Sequence, residues 1–163
     1  MWLDGPARDA AHRLKYDGWS RVAEAMADTM RSLEPCGGAI SLVPIPLGSR
    51  RLRERGYNQS ERIAAALGAR LQVPVCASWL ERVRETGTQT ALTPEERRAN
   101  VHGAFSAPAA GLRAAEGVHV VLVDDVFTTG ATLIAAAAAL RDAGAARVEA
   151  ITFARAVTPI VAV

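Results

Sequence analysis

Residues 120–134, VVLVDDVFTTGATLI, constrain this chain more than any other stretch. Four consecutive apolar residues lead into Asp124 and Asp125, and three threonines then surround Gly130 before an alanine-rich run begins. The apolar run reads as a buried strand over 118–123, and the alanine-rich run as a helix over about 131–143. Strand, polar turn and helix in that order are the unit from which α/β folds with parallel sheets are assembled.

The same alternation extends along the chain. Ala11, Leu14, Val22, Ala25, Met26, Met30 and Leu33 follow helical spacing, broken at Asp17-Gly18. Two helices in an N-terminal helical segment, 1–36, are therefore predicted. A short buried strand over 39–43 runs into the stiff Pro44-Ile45-Pro46 loop and an arginine-dense segment. A helix then opens at Asn58, with Glu61 three residues on as in a capping box, and runs to about Leu71. Residues 73–80 read as a strand, Thr93-Pro94 as the start of a short helix, and 104–105 and 148–154 as further strands. Residues 85–102 are polar and long for a connection, which predicts a mobile loop over the site. Half of the 163 residues are hydrophobic, enough for one domain spanning 1–163.

Charge and cysteine usage exclude several classes. The 19 basic and 17 acidic residues leave +2, too little to argue for nucleic acid or membrane on charge alone. Lys15 is the only lysine, so the arginine excess reads first as compositional bias. Cys36 and Cys76 stand far apart and outside any C-x-x-C pair, as expected for free thiols. No apolar run approaches a membrane span and no signal-peptide core opens the chain, so a soluble cytoplasmic protein with no membrane partner is expected. His12, His102 and His119 lack metal-ligand spacing, and His119 reads as a packed strand residue. Trp2, Trp19 and Trp79 read as scattered core or edge aromatics.

In an open parallel sheet, ligands gather beyond the carboxyl ends of the strands, where Asp124 and Asp125 are predicted to sit. Two adjacent carboxylates repel, and a ligand that donates hydroxyl hydrogens relieves the repulsion, as a vicinal sugar diol does. Thr128, Thr129, Gly130, Ala131 and Thr132 then form a helix entrance whose amides and dipole favour a phosphate. Gly130 permits close backbone approach. Diol acceptors followed by phosphate donors match a ribose 5-phosphate. The plainer alternative is that the threonines only cap a helix and the aspartates only make a turn. No G-K-[ST] or G-x-G-x-x-G occurs, so neither a P-loop nor a dinucleotide fingerprint competes.

VVLVDDVFTTGAT resembles the phosphoribosyl-pyrophosphate signature of type I phosphoribosyltransferases. HRLKYDG at 12–18, VPIPLGSRRLRERGYNQSE at 43–61 and TQTALTPEERRANVHGAF at 88–105 resemble, in order and spacing, the ComF-like branch associated with DNA uptake. The similarity covers about residues 10–157. Many members of that branch carry an N-terminal cysteine-rich zinc ribbon, which this sequence does not show.

The resemblance implies a type I phosphoribosyltransferase-like fold with a flexible loop over the site, Mg²⁺ as cofactor, and phosphoribosyl pyrophosphate plus an unknown acceptor as substrates. Breaking the anomeric carbon–oxygen bond puts charge on diphosphate, so positioned cations rather than a strong nucleophile are required. Asp124, Asp125 and Arg55 are the catalytic candidates, with Asp125 nearest to a general base. Arg50 and Arg51, with Arg53 beside them, match the diphosphate loop; Arg97 and Arg98 lie on the long loop, and Lys15 enters through HRLKYDG. Each arginine is equally read as part of a solvated face. The alternative function is a competence or DNA-uptake adaptor that binds single-stranded DNA or partner proteins and retains the phosphate site. A salvage enzyme of the same superfamily is a third reading.

Overall fold

The computed structural model describes residues 1–16, 20–32, 40–86, 94–108 and 115–156. Three parallel strands form the central sheet in the order β1-β4-β5, where β1 is Ile40–Pro44, β4 is His119–Phe127 and β5 is Arg147–Arg155. On one face pack α1 (Gly5–Tyr16), α2 (Ser20–Met30) and α4 (Gln59–Leu71), through Leu14, Met26, Met30, Ile63 and Leu67 against Val121 and Val123. On the other lies α6 (Ala131–Asp142), through Leu133, Ala136, Ala137 and Leu140 against Val120 and Leu122. Because successive strand residues point to opposite faces, the unbroken apolar run at 120–123 is what a strand covered on both sides requires. The α/β class with a parallel sheet and flanking helices is thus the observed one.

Two short strands, β2 (Glu81–Arg82) and β3 (Phe105–Ser106), pair antiparallel outside the main sheet. The helix α5 (Pro94–Val101) lies between them in sequence and begins at the expected proline. Thr93, the expected cap, falls outside the described residues, as does Asp17-Gly18 between the first two helices. Among the described residues no helix is long and apolar enough to cross a membrane.

The arginine-dense segment, for which the sequence predicts no element, forms a helix: Ser49–Arg55 is α3, closed by Gly56 in the left-handed region, whose N–H donates to the Leu52 carbonyl at 2.8 Å. Three sequence expectations are corrected. Residues 73–80 are not a strand but a single bridge from Leu42 to Val75, followed by a 3-10 turn at Ala77–Trp79. The Leu42 N–H donates to the Pro74 carbonyl and the Leu42 carbonyl accepts from the Cys76 N–H, while Pro74 has no N–H to carry the ladder further. The strand predicted over 118–123 continues to Phe127, because β5 stays in register as far as Arg155 while β1 stops at Pro44 opposite Val123. His119 is not simply packed: its Nε2 lies 3.0 Å from Glu149 Oε2, at the amino end of β4. Of the cysteines, Cys76 is a free thiol and Cys36 falls outside the described residues.

Candidate functional site

The site begins where β1 ends. Beyond Pro44, no strand among the described residues lies beside this edge of β4, and Asp124 and Asp125 occupy that step inside β4 rather than past its end. The vacated edge is filled by the start of α4. Ile45 N–H donates to the Val123 carbonyl at 3.0 Å, and the Asn58 amide donates to the Ile45 carbonyl at 3.0 Å. The Asn58 side-chain oxygen accepts from the Ser60 N–H at 3.1 Å, so Asn58 both caps α4 and ties it to the strand end. That anchoring delivers the buried Ser60 hydroxyl to Asp124 Oδ1 at 2.9 Å, and the Asp125 N–H donates to the same oxygen at 2.9 Å.

Asp125 is buried at 4% exposure, and its Oδ2 faces the Lys15 ammonium of α1 in an ion pair. Tyr57, three residues before Ser60 in the α3–α4 corner, donates its hydroxyl to the Leu14 carbonyl beside Lys15. Three separated motifs, 12–18, 43–61 and 120–132, thus meet at one acidic pair. Desolvation, and next the charge of Asp125, push the Asp124 carboxyl up to about 7, against the lowering effect of Ser60, the Asp125 N–H and Lys15. Such a group is partly protonated at neutral pH, and an arriving diol or cation would favour its ionised form.

Three residues beyond β4, Gly130 takes φ +76° and forms the N-cap of α6 without any side-chain cap. Thr129 Oγ1 accepts from the Ala131 N–H only at 3.5 Å, the outer limit of a hydrogen bond. The capping alternative for the threonines is therefore weak, and the first turn of α6 retains amides able to bind an anion. A Cβ on Gly130 would meet the Phe127 ring at 3.0 and 3.1 Å, so the loop lies directly on that ring. Thr128 is exposed, Thr129 and Thr132 are half-buried, and Ala131 is buried.

The arginines divide. Arg55 donates to Gln59 Oε1 across the α3–α4 corner. Arg50 is exposed and paired with Glu54 at 2.8 Å. Arg51 is exposed on α3. Arg97 and Arg98 lie on α5, and their side chains are outside the described residues. Sequence reasoning missed Arg82, a half-buried cation on β2 whose guanidinium lies 5.2 Å from the centre of the opposed Phe105 ring. Burial first, then the charges of Arg51 and Arg84, pull Arg82 below its ordinary value, while Glu85 and Asp124 hold it up. Asp124 at the strand end and Arg51 of α3 are thus both among the charges that act on Arg82. Glu85 was also missed: its Oε1 accepts from the Ser49 hydroxyl at 2.8 Å and the Arg50 N–H at 3.0 Å, docking the β2 end onto α3. Those two bonds hold its carboxyl below the usual range.

Among the described residues, no group of three or more His, Cys, Asp or Glu could hold a metal ion by itself. An acidic pair in which burial, and next the charge of Asp125, raise the Asp124 carboxyl is a donor set that suits a Mg²⁺ taking most of its oxygens from a phosphorylated ligand.

Comparison with known proteins places this geometry. Residues 57–159 match the family model described as phosphoribosyl transferase domain. The chain is 34% identical over 145 residues to DNA utilization protein YhgH of Salmonella typhi, covering 85% of this chain and 62% of that protein. It is 36% identical over 116 residues to competence protein F of Haemophilus influenzae, covering 71% and 50%. Over 153 residues it is 34% identical to competence protein ComFC of Bacillus subtilis, covering 91% and 59%. The chain thus spans between half and two thirds of the length of these relatives. The fold is shared with glutamine phosphoribosylpyrophosphate amidotransferase of B. subtilis, at a TM-score of 0.51 and 22% identity over 78% of this chain and 25% of that one. The strand, acidic pair and uncapped helix entrance lie inside the matched region, and the chain belongs to the phosphoribosyl transferase domain family, in its ComF-like branch.

Proposed function

We propose that the chain is a Mg²⁺-dependent phosphoribosyltransferase that binds phosphoribosyl pyrophosphate and passes its ribose 5-phosphate to an acceptor. The observation that carries this reading is the juxtaposition at the end of β4. Two carboxylates, supported by Lys15 and Ser60, stand five residues before an uncapped helix entrance. The carboxylates would accept hydrogen bonds from the ribose hydroxyls, and the amides of 129–132 would take the 5-phosphate. Arg82, with Arg51 and Arg84 near it, would receive the diphosphate, whose charge relieves their mutual repulsion. In the transfer, the anomeric carbon exchanges its bond to a diphosphate oxygen for one to the acceptor's nucleophilic atom. Diphosphate leaves with the electron pair, and the acceptor gives up a proton, for which Asp124 is the nearest titrating group. Asp124 would help to hold Mg²⁺, whose chemistry there would be charge neutralisation of the leaving diphosphate.

Thermal denaturation tests the binding step. With Mg²⁺ and phosphoribosyl pyrophosphate at about a hundredfold the dissociation constant, the protein is expected to gain ~2.7 kcal/mol, roughly 5–10 °C in Tm. Ribose, which lacks the phosphates, should produce no shift. An unchanged Tm at millimolar phosphoribosyl pyrophosphate would remove the reading.

A second reading is favoured by the names of the relatives, DNA utilization and competence proteins. In it the domain serves DNA uptake, binding single-stranded DNA or partner proteins through the same phosphate site. Contacts from arginines to a DNA backbone weaken steeply with salt, so the anisotropy of a labelled single strand, read across a salt series, separates the two readings.

A further inference from the structure

Four hydrogen bonds close a ring across the end of β1. Ile45 N–H donates to the Val123 carbonyl at 3.0 Å, and the Asn58 side-chain amide donates to the Ile45 carbonyl at 3.0 Å. Asn58 Oδ1 accepts from the Ser60 N–H at 3.1 Å, and the Ser60 hydroxyl donates to Asp124 Oδ1 at 2.9 Å. The ring thus leaves β4 at Val123 and returns to it one residue later. Ile45, Asn58 and Ser60 are all buried, so water competes little for these bonds.

The ring fixes one carboxyl oxygen. Asp124 Oδ1 takes the Ser60 hydroxyl and also the Asp125 N–H at 2.9 Å. The outer torsion of an aspartate is broad and roughly two-fold, and two donors converging on one oxygen settle it. Oδ2 is left as the open acceptor, with no hydrogen-bond partner among the described residues. The Ser60 hydroxyl is not needed to start the helix, because Asn58 already caps α4. Serine hydroxyls in helices commonly bond to backbone nearby, whereas this one reaches a strand 64 residues away.

We propose that Ser60 is a positioning residue, which holds the Asp124 carboxyl in the orientation that presents Oδ2 to the sugar hydroxyls. Asn58 and Ile45 in turn hold Ser60. The inference rests on the ribose 5-phosphate reading above. It adds that the sugar half of the site is preorganised from α4, while the phosphate half is made by the α6 entrance, so the two halves respond to different substitutions.

Dissociation constants for ribose 5-phosphate and for inorganic phosphate at pH 8 separate the halves, measured on wild type, Ser60→Ala and Ser60→Cys. Both replacements are small and alanine favours the helix, so the domain should fold, which circular dichroism checks. Phosphate probes the helix entrance alone, and the ratio of the two constants reports what the sugar adds. Wild type is expected to prefer ribose 5-phosphate. Ser60→Ala should reduce that preference by ~10-fold, the scale of one hydrogen bond to an ionised group, with phosphate affinity within ~2-fold of wild type. Ser60→Cys nearly keeps the volume but donates weakly, and should behave like the alanine variant. An unchanged preference in Ser60→Ala would overturn the inference and leave the transferase reading standing. Equal weakening of both ligands, a full preference in Ser60→Cys, or failure of both variants to fold would also overturn it, by making Ser60 a support for the fold. A wild type with no preference for ribose 5-phosphate over phosphate would remove the sugar cradle itself, and the inference with it.

Discussion

Asp124→Asn is expected to stabilise the free protein and to abolish its affinity for phosphoribosyl pyrophosphate. The Asp124 carboxyl is pushed up to about 7 in the folded chain, from 3.8 in the absence of structure. Between those pH values the folded state holds a proton that the unfolded state has released, so stability falls as pH rises through the interval. Above about 7 the full penalty of a desolvated carboxylate beside Asp125 is present. Asparagine removes that charge and can still accept from Ser60. At pH 8 the variant should gain ~2 kcal/mol, roughly 4–8 °C in Tm, whereas at pH 4 the two proteins should melt nearly together. Ligand affinity should fall by ~100-fold or more, because an amide oxygen is a weaker acceptor for a diol and carries no charge for a cation. Melting curves at the two pH values, with ligand titration at pH 8, check both halves. A variant less stable than wild type at pH 8 would show that Asp124 is a structural hydrogen-bonding group.

Lys15→Met is expected to have the opposite effect on stability. Lys15 is the counter-charge of Asp125, whose side chain is buried and whose Oδ2, among the described residues, has no partner besides that ammonium. Removing one member of such a pair leaves an uncompensated buried charge, a loss of several kcal/mol; with the lysine partly exposed we expect ~2–3 kcal/mol. The α1 helix keeps Ala7, Ala11 and Leu14 in the core, so the domain should still fold. Lys15 also lowers the Asp124 carboxyl, and without it the pH at which ligand binding sets in should move upward. Lys15→Arg should restore much of the stability. Urea denaturation measures the first effect and a pH series of binding the second. An unchanged pH profile would confine Lys15 to a structural role.

How much of this was readable beforehand follows from how local each feature is. The run from Val120 to Ile134 places strand, acidic pair, glycine turn and helix within fifteen consecutive residues, so pattern and residue type were enough. The α3 helix was invisible because SRRLRER has one apolar residue, Leu52, which is itself 42% exposed. Its support comes instead from Glu85, 35 residues away from Arg50, and from the Gly56 stop. Arg82 and Ser60 lack any local signature. They reach the site because β2 pairs with β3 and because Asn58 is bonded to the Ile45 carbonyl. The pairing of Lys15 with Asp125 spans most of the chain, and only the family resemblance of HRLKYDG drew attention to it. Gly56, by contrast, was a legible helix stop that the arginine run obscured.

The domain family is settled by residues 57–159; what the chain does rests on whether the acidic pair and the helix entrance hold one ligand together. Calorimetric titration of phosphoribosyl pyrophosphate, with and without Mg²⁺, at pH 7 in two buffers of different ionisation enthalpy, tests this most directly. Saturable one-to-one binding is expected, strengthened by Mg²⁺ and accompanied by release of a fraction of a proton to the buffer as Asp124 ionises. The Asp124→Asn/Asp125→Asn variant, folded by circular dichroism, should give no heat. Absence of binding by the folded wild type, or binding of equal strength by the double variant, would contradict the account.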